Sequence, residues 1–159
     1  MESNRETNNK TVIDIHESDA LLVNVRNMSR QVRRKFNKRI RDLKETLKLN
    51  PALFDRRWNN LVKGWLHETH RRANAWRIPD DQLKDYTKEQ LIDMGKLEVF
   101  EVVEIAKSVI EACGPDISEK VGAMTVNQVT NECIKAVAGV VDHRLNFMVD
   151  KRIYRRIKK

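Results

Sequence analysis

The feature that most constrains this chain is one uninterrupted apolar stripe. Leu21, Val25, Met28, Val32, Phe36, Ile40, Leu43 and Leu47 recur at steps of three or four residues, the spacing of one face of an amphipathic helix. No glycine or proline occurs from residue 18 until Pro51, and Ser18 or Asp19 is suited to cap the start. A helix over 18–49, about 30 residues at roughly 1.5 Å each, is about 45 Å long. A compact globule of this length has a diameter of about 40 Å. A helix that long is not easily covered by its own chain, so the stripe predicts an elongated bundle or an intertwined dimer.

The rest of the chain supports an all-α class. It has only five glycines and three prolines in 159 residues. Asn50 and Pro51 suit the N-cap and first position of a second helix. That helix runs to about Arg77, stops at Ile78-Pro79, and buries a face that includes Phe54, Trp58, Leu61, Trp65, Ala73 and Trp76. Residues 79–86 read as a polar connector with at most one helical turn. Thr87 and Gln90 form a capping box for a third helix, expected to bury Leu91, Leu97, Phe100, Val103, Ala106, Val109 and Ile110 before stopping at Gly114-Pro115. A second capping box, Thr125 and Gln128, marks the last helix, with Gly139 at a close helix–helix approach. The expected organisation is a flexible arm over 1–17, with a short extended segment at 11–16, and a helical domain over 18–159. Within that domain, basic helices span 18–77, an acidic helix 87–113, and a C-terminal helix with a basic tail 120–159.

Charge is unevenly distributed. The chain carries 31 Lys+Arg against 23 Asp+Glu, net +8. Residues 26–79 hold sixteen basic and four acidic groups, net +12, whereas 80–119 hold four basic and eleven acidic, net −7. Residues 142–159 hold seven basic and two acidic, net +5. Such asymmetry favours a polyanion on one surface. Met1 to Lys10 is polar throughout, no apolar run approaches the length of a membrane span, and Cys113 and Cys133 have no C-x-x-C spacing. The expectation is an intracellular protein in a reducing compartment, with no membrane association.

The basic residues of the first helix form a row. Arg26, Arg30, Arg33, Arg41, Lys44 and Lys48, with Asn37 among them, repeat at steps of three or four. Arg33, Arg41 and Lys44 directly follow Val32, Ile40 and Leu43, hence lie about 100° around the helix from the apolar stripe. Arg34, Lys35, Lys38 and Arg39 widen the row, and only Asp42 and Glu45 offer acidic company. A face built only for stability mixes Glu with Lys at i,i+4. A self-repelling row calls for an anion, and nucleic-acid phosphates supply one while releasing counterions. The expected contacts are Arg26, Arg30, Arg33, Arg34, Lys38, Arg41 and Lys44 on this helix, Arg56, Arg57, Arg71 and Arg72 on the second, and Lys151, Arg152, Arg155 and Arg156 in the tail. Trp58, Trp65 and Trp76 lie on the apolar stripe, which assigns them to the core rather than to base stacking.

No catalytic kit is visible. His67-Glu68-Thr69-His70 falls one residue short of the H-E-x-x-H spacing, and no further ligands occur at usable spacing. Asp80, Asp81 and Asp85 fit the start of a helical turn after Pro79 better than a divalent-ion site. Glu98, Glu101, Glu104 and Glu111 read as a solvated face or a socket for cations. The two cysteines read as inert core thiols. Nucleotide-binding and hydrolase motifs are absent. The first helix is too long for a ribbon-helix-helix. No glycine occurs before Gly64 to make the turn of a helix-turn-helix.

The expectation is therefore a non-enzymatic, homo-oligomeric nucleic-acid-binding protein needing no cofactor or metal. It would contact DNA or RNA through backbone phosphates, as a packaging, coat-type or viral or plasmid accessory protein does. The alternative is an adaptor or inhibitor whose basic face engages an acidic protein.

Overall fold

A computed structural model of the chain describes residues 29–158, with side chains to residue 147. The arm over 1–17, the segment at 11–16 and residues 18–28 of the expected first helix lie outside the described residues. Every element described is helical: α1 Arg30–Leu49, α2 Pro51–Ala75, α3 Asp80–Asp85, α4 Lys88–Cys113, the single turn α5 Pro115–Ile117, a π-helical stretch Ser118–Gly122, and α6 Ala123–Lys158.

The first helix does not run unbroken from residue 18. Ser29 has extended backbone (φ −63°, ψ 161°) and is the N-cap of α1. Its Oγ accepts from the Val32 amide at 3.3 Å. A serine hydroxyl competes with the helical ladder for backbone amides, and here it starts α1 inside the apolar stripe. The 20 residues of α1 span about 30 Å rather than about 45 Å. The break at Ser29 removes the length argument for an intertwined dimer. What remains of the stripe packs as expected, with Phe36, Ile40 and Leu43 buried and Val32 and Leu47 half-buried.

The α1–α2 and α3–α4 boundaries follow their local chemistry. Asn50 Oδ1 accepts from the Leu53 amide at 3.2 Å, and Pro51 opens α2. Trp76 ends α2 in extended conformation, three residues before Pro79. Asp80 and Asp81 occupy the first turn of α3, where carboxylates favour the exposed amides. Thr87 and Gln90 form the reciprocal capping box of α4.

The Gly114-Pro115 stop works on one side only. Gly114 takes φ +89°, which closes α4, but Pro115 is already the first residue of the next helical segment. Its ring fixes φ at a helical value and its missing N–H is one the first turn leaves unpaired anyway. The helix therefore starts ten residues upstream of the expected cap. Thr125 is an interior residue of α6, 1 % exposed.

The core lies among α2, α4 and α6, with α1 laid against α2 and α4. Trp58 and Trp65 are fully buried, Trp58 stacking on Phe54 and meeting Trp65 edge-on at 6.0 Å. Two expected core residues of α4 are on the outside: Leu97 is 81 % exposed and Phe100 41 %. The buried arc is set by Val99, Val102, Val103, Ala106, Val109, Ile110 and Cys113, and Leu97 sits two residues, about 200°, from Val99. The close helix approach is likewise elsewhere than expected. Among the described residues a Cβ on Gly139 would meet nothing within 4 Å, whereas a Cβ on Gly95 would lie 2.5 Å from Val137 Cγ1 and 2.8 Å from Trp76 Cη2.

Candidate nucleic-acid interface

The sequence singles out α1, and the packing explains why its cations face outward. Phe36, Ile40, Leu43 and Thr46 bury one side against α2 and α4. Arg30, Arg33, Arg34, Lys38 and Arg41 occupy the remaining arc and are exposed. Among the described residues none of these five forms an ion pair or side-chain hydrogen bond, including with Asp42 or Glu45. Arg30 to Arg41 spans about 16 Å of helix. The row therefore holds five like charges on one helix, none of them within ion-pair distance of a described carboxylate.

The other expected contacts divide. Arg56 is exposed and without a described partner. Arg57 is a brace between helices: its Nη1 donates to Thr46 Oγ1 at 3.0 Å, and that hydroxyl donates to the Asp42 carbonyl at 2.6 Å. Lys44 reaches the end of α4, its Nζ 3.8 Å from where a Cβ on Gly114 would stand. A cation is favourable there, at the negative end of the helix dipole. Arg71 and Arg72 both engage Glu68: Arg71 Nε donates to Glu68 Oε1 at 2.6 Å and Arg72 Nε lies 3.5 Å from it. Arg72 Nη1 also reaches Glu101 of α4 at 3.5 Å. The acidic helix thus takes a cation from α2, not from the row on α1. Arg26 lies outside the described residues. Lys151, Arg152, Arg155 and Arg156 lie on the last turns of α6, and their side chains are outside the described set.

A second basic feature went unread in the sequence. A groove of about 760 Å³ runs between the end of α2, the Trp76–Ile78 segment and the middle of α6. Its rim carries His70, Arg77, Lys135, His143 and Arg144, and its floor includes Trp76, Ile78 and Val140. No carboxylate lines it. Two of the rim groups have acidic partners outside it. His70 Nε2 is 2.6 Å from Glu132 Oε1, and Arg144 Nη2 bonds Asp80 Oδ1 at 2.8 Å and the Ile78 carbonyl at 3.2 Å. Arg77 Nη1 donates to the Asn74 carbonyl at 3.0 Å. Lys135 and His143 have no described partner. The signal was available: Lys135, Gly139 and His143 are spaced i, i+4, i+8 and share one face of α6.

Cys113 and Cys133 are both buried free thiols. Burial pushes the Cys113 thiol up to about 12, with Lys44 pulling the other way. Burial also raises Cys133, whose Sγ lies 3.8 Å from Thr69 Oγ1. Among the described residues no three His, Cys, Asp or Glu side chains converge as metal ligands, and no helix is long and apolar enough to cross a membrane.

The fold and site define a helical protein with an outward basic row and a separate basic groove. No protein-family model matches the chain, and comparison with curated proteins and with solved structures finds no match.

Proposed function

We propose that this chain is a non-enzymatic nucleic-acid-binding protein that holds backbone phosphates along the outer face of α1. The observation that carries the reading is the set of five exposed cations, Arg30, Arg33, Arg34, Lys38 and Arg41, none of them ion-paired with a described carboxylate. Such a row repels itself in the free protein, and binding a phosphate strand relieves that while releasing condensed counterions. Arginines spaced along a helix face track phosphates rather than base edges, so sequence preference is weak. The role is of the packaging, coat-type or viral or plasmid accessory kind. The proposal keeps self-association, because copies set side by side on a strand repeat the row. A monomer on nucleic acid by sedimentation would remove that part.

The test is a triple Arg30/Arg33/Arg41→Ala variant titrated against labelled duplex DNA, single-stranded DNA and RNA over a range of salt. Binding should weaken for all sequences alike. The slope of log affinity against log salt should fall by about 2–3, at roughly 0.7–0.9 per lost phosphate contact. A folded triple variant that binds as tightly as the parent overturns the reading. So does a parent that retains no nucleic acid but a stoichiometric acidic protein.

A further inference from the structure

The groove at the end of α2 is lined by both kinds of surface a nucleotide needs. Its floor is partly aromatic. Trp76 is half-buried, and its six-membered ring rests on the backbone of Gly95, where a Cβ would collide with it. The indole is thus clamped from behind by α4, and it also lines the groove. The rim is cationic and carries no carboxylate. Arg77 spends one nitrogen on the Asn74 carbonyl, and Lys135 and His143 are uncommitted among the described residues. The volume, about 760 Å³, falls in the range of roughly 300–1,000 Å³ typical of small-molecule sites. Gly139 keeps the α6 side open, since nothing among the described residues lies within 4 Å of where its Cβ would be.

From these observations we infer that the groove seats one unpaired nucleotide of a single strand, its base on Trp76 and its phosphate between Arg77 and Lys135. An apolar ligand would leave the cations unanswered, and a bare phosphate would leave the Trp76, Ile78 and Val140 floor unused. A strand suits the site better than a free nucleotide because α6 continues as helix beyond the groove. Lys151 lies seven residues past Arg144, roughly 10 Å along the axis, followed by Arg152, Arg155 and Arg156. The inference rests on the proposed nucleic-acid function and adds to it a preference for unpaired over duplex substrate.

The experiment compares Gly139→Leu with the α1 triple variant, using oligo(dT), a duplex of the same length and thymidine monophosphate as probes. Leucine suits a helix and has open space at position 139, so the fold is kept while the groove is filled. Circular dichroism and melting check this. Lys135→Ala serves as a second groove variant with no steric change to the core. Gly139→Leu should bind oligo(dT) about ten- to a hundredfold more weakly, the scale of one lost stacked base, and Lys135→Ala should weaken it with a salt slope lower by about 0.7, one phosphate contact on a single strand, duplex binding staying nearly unchanged in both. Oligo(dT) should quench tryptophan emission in the parent but not in Trp76→Phe, because Trp58 and Trp65 are buried. The inference is overturned if folded groove variants bind oligo(dT) like the parent, or if the quenching survives in Trp76→Phe. Monophosphate binding as tightly as oligo(dT) overturns the strand assignment. A parent that binds neither oligo(dT) nor duplex overturns the proposed function itself, whereas groove variants without effect beside a weakened α1 triple variant overturn only the groove.

Discussion

Trp58 donates its indole N–H to Thr125 Oγ1 at 2.9 Å, joining α2 to α6 inside the core across 67 residues of sequence. The neighbouring Trp65 is as deeply buried, yet its Nε1 has no hydrogen-bond partner among the described residues. Two tryptophans one above the other on the same helix face therefore carry opposite polar accounts.

Phenylalanine at the two positions should separate them. Trp58→Phe removes a buried bond and leaves the Thr125 hydroxyl, 1 % exposed, without its partner, at about 1–3 kcal/mol beyond the lost packing. Trp65→Phe loses similar volume but also deletes an unsatisfied buried donor. Urea unfolding should show Trp58→Phe to be the more damaging by at least about 1 kcal/mol. Equal losses would mean that packing alone sets both.

Glycine replacements should have opposite signs at Gly114 and Gly139. Gly114 sits at φ +89°, ψ 177°, backbone essentially reserved for glycine, so alanine costs about 1–3 kcal/mol. Gly139 lies in the interior of α6 with free space around its Cβ position. Alanine there should stabilise by about 0.5–1 kcal/mol through helix propensity. Melting temperatures that move in the same direction would contradict the assigned geometry at one of the two sites.

Legibility followed how local each signal was. The Asn50-Pro51 start, the Thr87/Gln90 capping box and the burial of Trp58 and Trp65 were readable because each is decided within a turn or two of helix. The break at Ser29 was not legible, because a serine in an apolar stripe looks the same whether it faces solvent or caps a helix. Thr125 presents a capping box on paper, but Pro115 had already opened the helix, and the threonine turned inward to Trp58. Leu97 and Phe100 look like core by residue type, and only the placement of α2 and α6 decides which arc of α4 is covered. At the candidate site, the α1 row was legible from period alone. That Arg57 and Arg72 have partners on other helices was not, because Thr46 and Glu101 meet them only through tertiary packing; the pairing of Glu68 with Arg71 and Arg72, at i,i+3 and i,i+4 on α2, was open to spacing alone. The groove was missed because its rim comes from α2 and α6 together.

The buried thiols make stability fall at high pH. Desolvation holds the Cys113 thiol near 12 in the native state, against an ordinary 9.0. Its folded value is raised, so the unfolded chain releases this proton first. The contribution is intact below pH 9 and is lost as pH rises toward 12, at about 1.4 kcal/mol per pH unit for one group. Urea midpoints should drop between pH 8 and 10. Cys113→Ala, less stable at pH 8 because of its cavity, should show a flatter decline. Both thiols should resist a thiol reagent until denaturant is added. Rapid labelling of the native protein would contradict their burial.

The arginines of α1 and α2 should respond differently to removal, although the sequence alone gives them one role. Glu68 is only 12 % exposed on its side chain and is flanked by the Arg71 and Arg72 guanidiniums. Taking away Arg72 leaves a half-buried carboxylate with one partner fewer and frees Glu101. Arg72→Ala should therefore destabilise the fold by about 1 kcal/mol, the upper end for a partly exposed ion pair, and Glu68→Gln made on top of it should recover part of that loss. Arg30→Ala, Arg33→Ala and Arg41→Ala remove exposed charges that repel one another, so stability should hold or rise by a few tenths of a kcal/mol. Thermal melts at low salt check both, and raising the salt should narrow the gap by screening the repulsion on α1. If the α1 variants melt earlier than Arg72→Ala, the row is part of the framework of the fold and not a surface kept for an anion.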